Sequence, residues 1–425
     1  MRTEKNNIFF GIDWILVILY ALLVGFGWMT IYATSANEET TQLLNLSTRY
    51  GKQLLWIILC IPLIVFVLFF NSKFYEKFAS IFYFISIASL IGLFLFGKNI
   101  NGATSWYNFG FMGLQPSEFA KACTALAVAK LLSDKQYNLK LVKNQIKAFI
   151  IIFLPAFLIA MQPDMGSVLV YLSFFFVLNR EGLTLNYIVL GSLAIIIFLA
   201  TLLFGPLNIT IVSFSIVSLF VLYFLKKNRT YLKFNWFKIF SIYSVLAIFI
   251  FSTSYTYNNV FEQHHRDRFD ILLGISKDTK KIGYNTQQSV QAISSGGFTG
   301  KGFLQGDRTQ GKFVPEQDTD YIFSAVGEEW GFLGTTFIII LFMLILYRII
   351  YLAETHNNKF GRIYGYGLAS ILFFHVIINV GMVIQLLPTI GIPLPFFSYG
   401  GSSLWGFTLL LFIFIKLDAN KSYDW

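Results

Sequence analysis

Residues 320–350 read DYIFSAVGEEWGFLGTTFIIILFMLILYRII. The second half is almost wholly apolar, and the run as a whole exceeds the ~20 mostly apolar residues that a helix needs to cross a bilayer. A transmembrane helix is expected here. Its first half carries Asp320, Glu328 and Glu329, and at 1.5 Å of rise per residue the last two lie about 12 Å inside the span. A carboxylate at that depth must face a polar interior or a partner, so the stretch that fixes the fold class also points to a site.

Working outward, eleven further apolar runs lie near 10–33, 53–71, 77–97, 116–133, 146–161, 165–179, 185–204, 207–225, 236–256, 364–387 and 396–416. Composition agrees. Of 425 residues, 56% are hydrophobic and 13% charged, against about 25% charged in a soluble domain. Intrinsic disorder and a water-facing globule are both excluded. The expected fold is an all-α polytopic membrane protein, a bundle of ten to twelve transmembrane helices forming a single domain over 1–425. The runs at 146–161 and 165–179 are short and separated only by Gln162, Pro163 and Asp164, so either is open to being tilted or re-entrant. The first run is too long for a signal-peptide core and reads as uncleaved. Cys60 and Cys123 sit in apolar runs, and His264, His265, His356 and His375 lack ligand spacing, so no disulfide framework and no metal site is readable.

The net charge of +10 would suit nucleic acid, but in so apolar a chain a positive cytoplasmic face explains it better. With the N-terminus inside, nineteen Lys and Arg fall on inner segments, and three (Arg49, Lys52 and Lys98) on short outer ones. Both termini are therefore expected to be cytoplasmic, with no nucleic-acid partner. The remaining soluble-like stretch, 257–319, is a large extracytoplasmic loop, nearly neutral and broken by Gly296, Gly297, Gly300 and Gly302. Function commonly resides on such loops.

Four polar clusters fall on the predicted outer side. The first runs from Trp106 to Gln115, Pro116, Ser117, Glu118 and Lys121. Pro116 suits a first helical position, and Glu118 and Lys121 share a face at i,i+3; a snorkelling ion pair that anchors the helix reads equally well. The second, Gln162 to Ser167, includes Asp164, which a plain capped turn also explains. The third runs from Phe313 to Asp320 and on to Glu329, with helix capping an alternative for Asp318 or Thr319. The fourth is Pro388 to Ser403. Its three prolines forbid one regular helix, and Ser398, Gly400, Gly401 and Ser402 offer amides and hydroxyls as a candidate anion cradle, or simply a tight turn. His375 and Asn379 are expected to hydrogen-bond between helices. Together with Arg266, Arg268, Lys301 and Arg308, these clusters describe an outward cavity suited to a membrane-embedded substrate with a phosphate-bearing head.

In this order and spacing, the clusters resemble the SEDS family of bacterial cell-wall proteins (shape, elongation, division, sporulation). The likeness is strongest over 101–121, 162–167, 283–334 and 379–407. Gly300-Lys301-Gly302-Phe303 and Phe313-Val314-Pro315-Glu316 read more like its RodA branch than its FtsW branch. The resemblance implies a peptidoglycan glycosyltransferase that polymerises lipid II at the outer face of the bacterial cytoplasmic membrane, working with the growing glycan strand, membrane lipids and a class B penicillin-binding protein. It makes Asp320, of the Thr319-Asp320 pair, the key acid. A sugar 4-hydroxyl displacing a lipid diphosphate needs a base and charge stabilisation of the leaving group, which assigns Asp320 as general base. Lys121, Arg266, Arg268 and the Gly400-Gly401 cradle would hold the diphosphate, Trp106 and Glu118 would order the cavity, and Gln115, Asp164, Lys301, Ser398 and Ser402 complete the substrate-binding set. A divalent cation, Mg or Mn, on the diphosphate is compatible with this chemistry.

The chain departs from the family pattern twice. Asp318 stands where the family has His, and the neighbouring like charge should raise one carboxyl pKa and so help a base. The hairpin around 185–225 would be two helices beyond the family's usual ten, leaving everything downstream in the same orientation. Rival readings are a division-type FtsW-like polymerase, a lipid II flippase alternating access through the bundle, and a non-catalytic scaffold.

Overall fold

The computed structural model describes residues 11–35, 44–100, 103–110, 113–227, 236–261, 263–275 and 282–421. Both termini, whose side of the membrane the charge pattern predicts, lie outside these residues. The chain forms two compact units, Met1–Thr184 with Asn285–Trp425, and Leu185–Tyr284.

The first unit contains α1 (Trp14–Ser35), α2 (Arg49–Phe69), α3 (Ser72–Phe96), β1 (Lys98–Ile100), β2 (Ala103–Asn108), β3 (Gly113–Leu114), α4 (Pro116–Ser133), α5 (Val142–Ala160), α6 (Met165–Val170) and α7 (Phe174–Arg180). The second contains α8 (Asn186–Phe204), α9 (Pro206–Lys227), α10 (Trp236–Tyr255) and α11 (Gln263–Leu272). The chain then returns to the first unit through α12 (Ile282–Gly296), α13 (Asp307–Gln310), α14 (Ile322–Glu354), α15 (Lys359–Val383) and α16 (Gly401–Ala419).

Among the described residues, ten helices are long and apolar enough to cross a membrane. The other two of the twelve apolar runs are helical too. α4 carries Glu118, Lys121 and Lys130, and residues 165–180 break into α6, a 3₁₀ turn at Tyr171–Ser173 and α7. Local chemistry sets several of the boundaries. Pro116 opens α4, the Thr48 hydroxyl accepts from Gly51 N–H to cap α2, and the Asn358 side chain accepts from Phe360 N–H to cap α15.

α4 is the axis of the first unit and packs on α3, α15 and α16. Its Ala120, Ala122, Ala125 and Ala129 are buried, and such small side chains let helices approach closely where lipid removes the usual hydrophobic drive. Gly406 of α16 lies so near that a Cβ there would stand 3.1 Å from the Glu118 carbonyl oxygen. Many large apolar side chains elsewhere are exposed, such as Phe84, Leu95 and Phe204, as lipid-facing positions require.

Two local features add to the helical bundle. The polar interval after α3 is a small antiparallel sheet in the order β1-β2-β3, pinned to α3 by the Tyr107 hydroxyl donating to Ser89 O at 2.8 Å. Among the described residues of 257–319, α11, α12 and α13 form, and the glycines terminate α12 rather than prevent it.

Those glycines do a specific job. α14 kinks at Gly331, where φ is +61° and ψ −156°, which frees backbone groups inside an apolar span. Segment 297–302 takes them up: Lys301 N–H donates to Glu328 O at 3.0 Å and Gly302 N–H to Glu329 O at 2.9 Å. In return, Phe332 N–H donates to Gly297 O at 3.0 Å and Leu333 N–H to Phe298 O at 3.2 Å. Irregular backbone at this depth survives only with such partners.

The second unit, taken by itself, is a set of three long helices with few buried side chains. The Ser218 and Tyr243 hydroxyls hydrogen-bond at 2.7 Å between α9 and α10, and Tyr257 donates to Asp270 at 2.5 Å.

Gly300→Val tests the seam at the kink. Its φ is +83°, and a Cβ would meet Glu329 O at 2.2 Å. A loss of about 1–3 kcal/mol or more is expected from the strained backbone alone, read as a lower thermal midpoint of the solubilised protein. An unchanged midpoint would refute the docking.

Candidate active site

The turn at 316–321 leads into α14, and three of its consecutive carbonyls are held from outside. Tyr399 N–H donates to Asp318 O at 2.8 Å, the Ser398 hydroxyl to Thr319 O at 2.6 Å, and the Asn379 amide to Asp320 O at 2.8 Å. Asn379, fully buried on α15, also donates to Ile392 O at 2.7 Å. Ser398 in turn accepts from Leu394 N–H at 2.9 Å. The proline-rich segment 388–400 and α15 thus clamp the turn that presents Asp320. Asp320 itself is half-buried, with Gly391 beside its carboxylate: a Cβ on Gly391, where φ is +79°, would lie 3.3 Å from Oδ2.

Beneath the clamp is a buried ionic chain. Lys121 Nζ donates to Glu118 Oε1 at 2.8 Å and lies 3.0 Å from His375 Nε2, whose ring Nδ1 is 3.2 Å from Pro393 O. An ammonium can only donate, so Nε2 accepts and Nδ1–H donates to the carbonyl, which assigns a neutral imidazole. The ammonium also sits 5.0 Å from the Phe407 ring centroid. Lys121 is 1% exposed and Glu118 4%. Lys121, expected to hold diphosphate, is here enclosed with its charge already paired to Glu118.

The groups of the cradle expected at Ser398, Gly400, Gly401 and Ser402 have protein partners as well. Its Gly400 N–H donates to Gln53 Oε1 at 3.1 Å, the Ser398 hydroxyl is committed to Thr319 O, and the Ser402 hydroxyl donates to Gly113 O at 2.9 Å while accepting from Gln115 N–H at 3.1 Å. Gly401 makes room for the Trp56 ring, to which a Cβ would approach within 2.7 Å. These residues hold protein to protein. Gln115 Nε2 donates to Asp164 Oδ2 at 3.0 Å, while Asp164 caps α6 through Ser167 N–H at 3.1 Å, so capping and site reading meet in one residue. Trp106, on β2, packs over Gly113.

Lys301 pairs with Asp307 at 3.0 Å and with the fully buried Glu328 at 2.9 Å. Glu328 also accepts from the N–H groups of Arg308 and Thr309 at 3.0 and 2.8 Å. The expected polar partner of the intramembrane carboxylate is therefore the loop itself, and Lys301 is spent on it. Arg266 and Arg268 belong to the second unit, on α11.

Arg49 was missed in the sequence as a site residue, where it stands out only as one of three outer cations. It ion-pairs with Asp318, lies 3.7 Å from Glu316 and is 5.9 Å from the Tyr399 ring centroid. Gln53 was missed as well; its one signal is an amide inside an apolar run. Burial pushes the Asp318 carboxyl above its ordinary range, with the Arg49 charge opposing that rise.

The sign follows. An acid whose folded pKa lies above its unfolded value contributes stability that is fully present below the unfolded value and is lost as pH rises through the folded one. Arg49→Met removes the opposing charge and raises Asp318 further, so the variant's thermal midpoint should fall more steeply with pH above about 4 than wild type. Parallel midpoint curves would show that the pair does not matter.

The chain has clear relatives. Residues 13–213 and 185–423 match the profile of the FtsW/RodA/SpoVE family, described as cell cycle protein. The peptidoglycan glycosyltransferase RodA of Treponema pallidum (strain Nichols) is 30% identical over 430 residues, covering 96% of this chain and 98% of that protein. The peptidoglycan glycosyltransferase MrdB of Escherichia coli (strain K12) is 33% identical over 331 residues, 78% of this chain and 75% of that one. A solved chain from a peptidoglycan synthase complex, reported for its structural coordination of polymerization and crosslinking, aligns at TM-score 0.71 and 25% identity, covering 97% of this chain and 99% of that chain. The rod shape determining protein RodA of Thermus thermophilus aligns at TM-score 0.62 and 21% identity over 97% of this chain and 98% of its own, a likeness of fold. With a family profile spanning most of its length and a relative of 30% identity from end to end, the chain belongs to the FtsW/RodA/SpoVE family, the SEDS family.

Proposed function

We propose that this multi-pass bacterial membrane protein, a peptidoglycan glycosyltransferase of the SEDS family, polymerises lipid II into β-1,4-linked glycan at the outer face of the cytoplasmic membrane, in cell elongation. The observation that carries this reading is the clamped turn, which fixes three successive carbonyls and leaves Asp320 half-buried at the rim. Asp320 takes the proton of the acceptor 4-hydroxyl as that oxygen attacks the anomeric carbon, and undecaprenyl diphosphate leaves with the bonding electrons. One direct displacement inverts an α-linked donor to a β linkage without a covalent enzyme intermediate.

Glu118, Lys121 and His375 are positioning residues in this scheme, acting through Pro393 and the clamp. The diphosphate needs cations to offset its charge as it leaves. A Mg²⁺ or Mn²⁺ ion accompanying that group would be held mainly by phosphate oxygens, because the described residues bring together no group of three His, Cys, Asp or Glu side chains. The synthase complex containing a similar chain supports a crosslinking partner, a class B penicillin-binding protein. Elongation is favoured over division by 30–33% identity to RodA and MrdB, against 28% to the FtsW of Bacillus subtilis (strain 168).

The test is polymerisation of purified lipid II by the full chain, with and without the partner. Asp320→Asn should lower the rate by about 10²–10⁴-fold while inserting normally, and Asp318→Asn should cost far less. Full glycan synthesis by Asp320→Asn would sink the base assignment, and transport of lipid II with no polymer would favour a flippase. Lys121→Met should cost about 3–5 kcal/mol by stranding Glu118, and Glu118→Leu combined with Lys121→Met should recover much of that loss. Simple additivity in thermal unfolding would show that the pair is not coupled.

A further inference from the structure

Beside the clamped turn is a cavity of about 380 Å³, within the ~300–1,000 Å³ typical of small-ligand sites. It lies between the end of α1, the start of α2 and the strand of loop from Lys312 to Asp318. Its walls are polar in a particular way. The hydroxyls of Thr34 and Ser35 both donate to Ile31 O, at 3.0 and 2.5 Å, and those of Ser47 and Thr48 donate to Asn45, to Oδ1 and to the carbonyl oxygen, each at 2.7 Å. With their protons spent, these hydroxyls can offer a ligand only lone pairs, one of which at Thr48 is already taken by Gly51 N–H. Asp318 is part of the lining; one of its oxygens takes Arg49, and the other is buried without a hydrogen-bond partner.

A ligand for such a wall must be rich in donors. The charged lining balances, Arg49 and Lys312 against Glu316 and Asp318, and Arg49 is already paired with Asp318, so no surplus positive charge is left for a diphosphate. Among the described residues the lining holds no aromatic ring and, Val314 and Pro315 apart, consists of polar or charged side chains, which suits a lipid tail badly. A sugar ring bearing hydroxyls and an amide N–H matches in size, charge and hydrogen-bonding sense. Asp318 is two residues from Asp320, within about 7 Å along the chain, so a sugar in the cavity is a neighbour of the one undergoing reaction.

We infer that this cavity is a saccharide subsite, holding a sugar of the growing glycan strand next to the sugar that reacts at Asp320. The inference rests on the polymerase reading above. It makes the cavity a determinant of how long the enzyme retains its product.

The test compares glycan length made from lipid II by wild type and by Ser47→Trp, which fills the cavity from an exposed position. Losing one or two hydrogen bonds of retention should shorten the strands roughly five-fold while addition continues. Should Ser47→Trp fail to insert, Ser35→Leu, which removes one acceptor hydroxyl from the lining and intrudes on the cavity, carries the same test with the same expected shortening. Strands of unchanged length overturn the subsite alone, and so does complete loss of synthesis in a folded variant, which would place the reacting sugar itself in the cavity. No polymer from wild type overturns the polymerase reading and the subsite with it.

Discussion

Three successive peptide carbonyls, at Asp318, Thr319 and Asp320, accept hydrogen bonds from Tyr399, Ser398 and Asn379. A turn at a membrane edge has no helix or sheet to satisfy its carbonyls, and left to water it would sample many conformations. Here one side chain, one hydroxyl and one backbone amide fix the direction of the chain just where it delivers a carboxylate. The donors come from α15 and the segment that follows it, so the geometry at Asp320 depends on those elements being rigid.

That rigidity is itself supported from below. The proline-rich segment cannot make helical hydrogen bonds, and its carbonyls at Ile392 and Pro393 are instead taken by Asn379 and His375. His375 can serve as a donor through Nδ1 only because Lys121 occupies Nε2, and Lys121 can be buried only because Glu118 neutralises it. A charge pair in the bundle interior therefore sets the tautomer that holds a loop. Desolvating such a pair is costly, and the close approach of α16 at Gly406 keeps water from competing with it.

The sequence shows the membrane fold readily, because a run of about 20 apolar residues has few other uses. The polar clusters were legible as well, since any charge in such a chain stands out. Their division of labour was not. Spacing puts Glu118 and Lys121 on one face, but nothing local says that His375, 254 residues away from Lys121, completes the chain. The glycines of 296–302 read as helix breakers; their partner is a kink in a helix thirty residues on, and long-range backbone pairing leaves no mark in composition. Gly400 and Ser402 looked like an anion site because free donors are inferred from residue type, whereas occupancy depends on which neighbours fold against them.

Two carboxylates two residues apart raise the question of which one can act as a base. A general base must be reachable by the hydroxyl it deprotonates. Asp318 is 5% exposed and ion-paired with Arg49, so taking up a proton would break that pair in a desolvated place. Asp320 is half-buried, its backbone is fixed, and Gly391 lies so close that a Cβ there would stand 3.3 Å from its Oδ2. The family resemblance read from the sequence implies His at the position of Asp318, and a neutral imidazole would not pair with Arg49. In this chain Asp318 and Arg49 compensate one another, so the substitution adds little net charge near Asp320. Under the proposed mechanism this balance leaves the proton transfer to Asp320, while Asp318 and Arg49 line the neighbouring cavity.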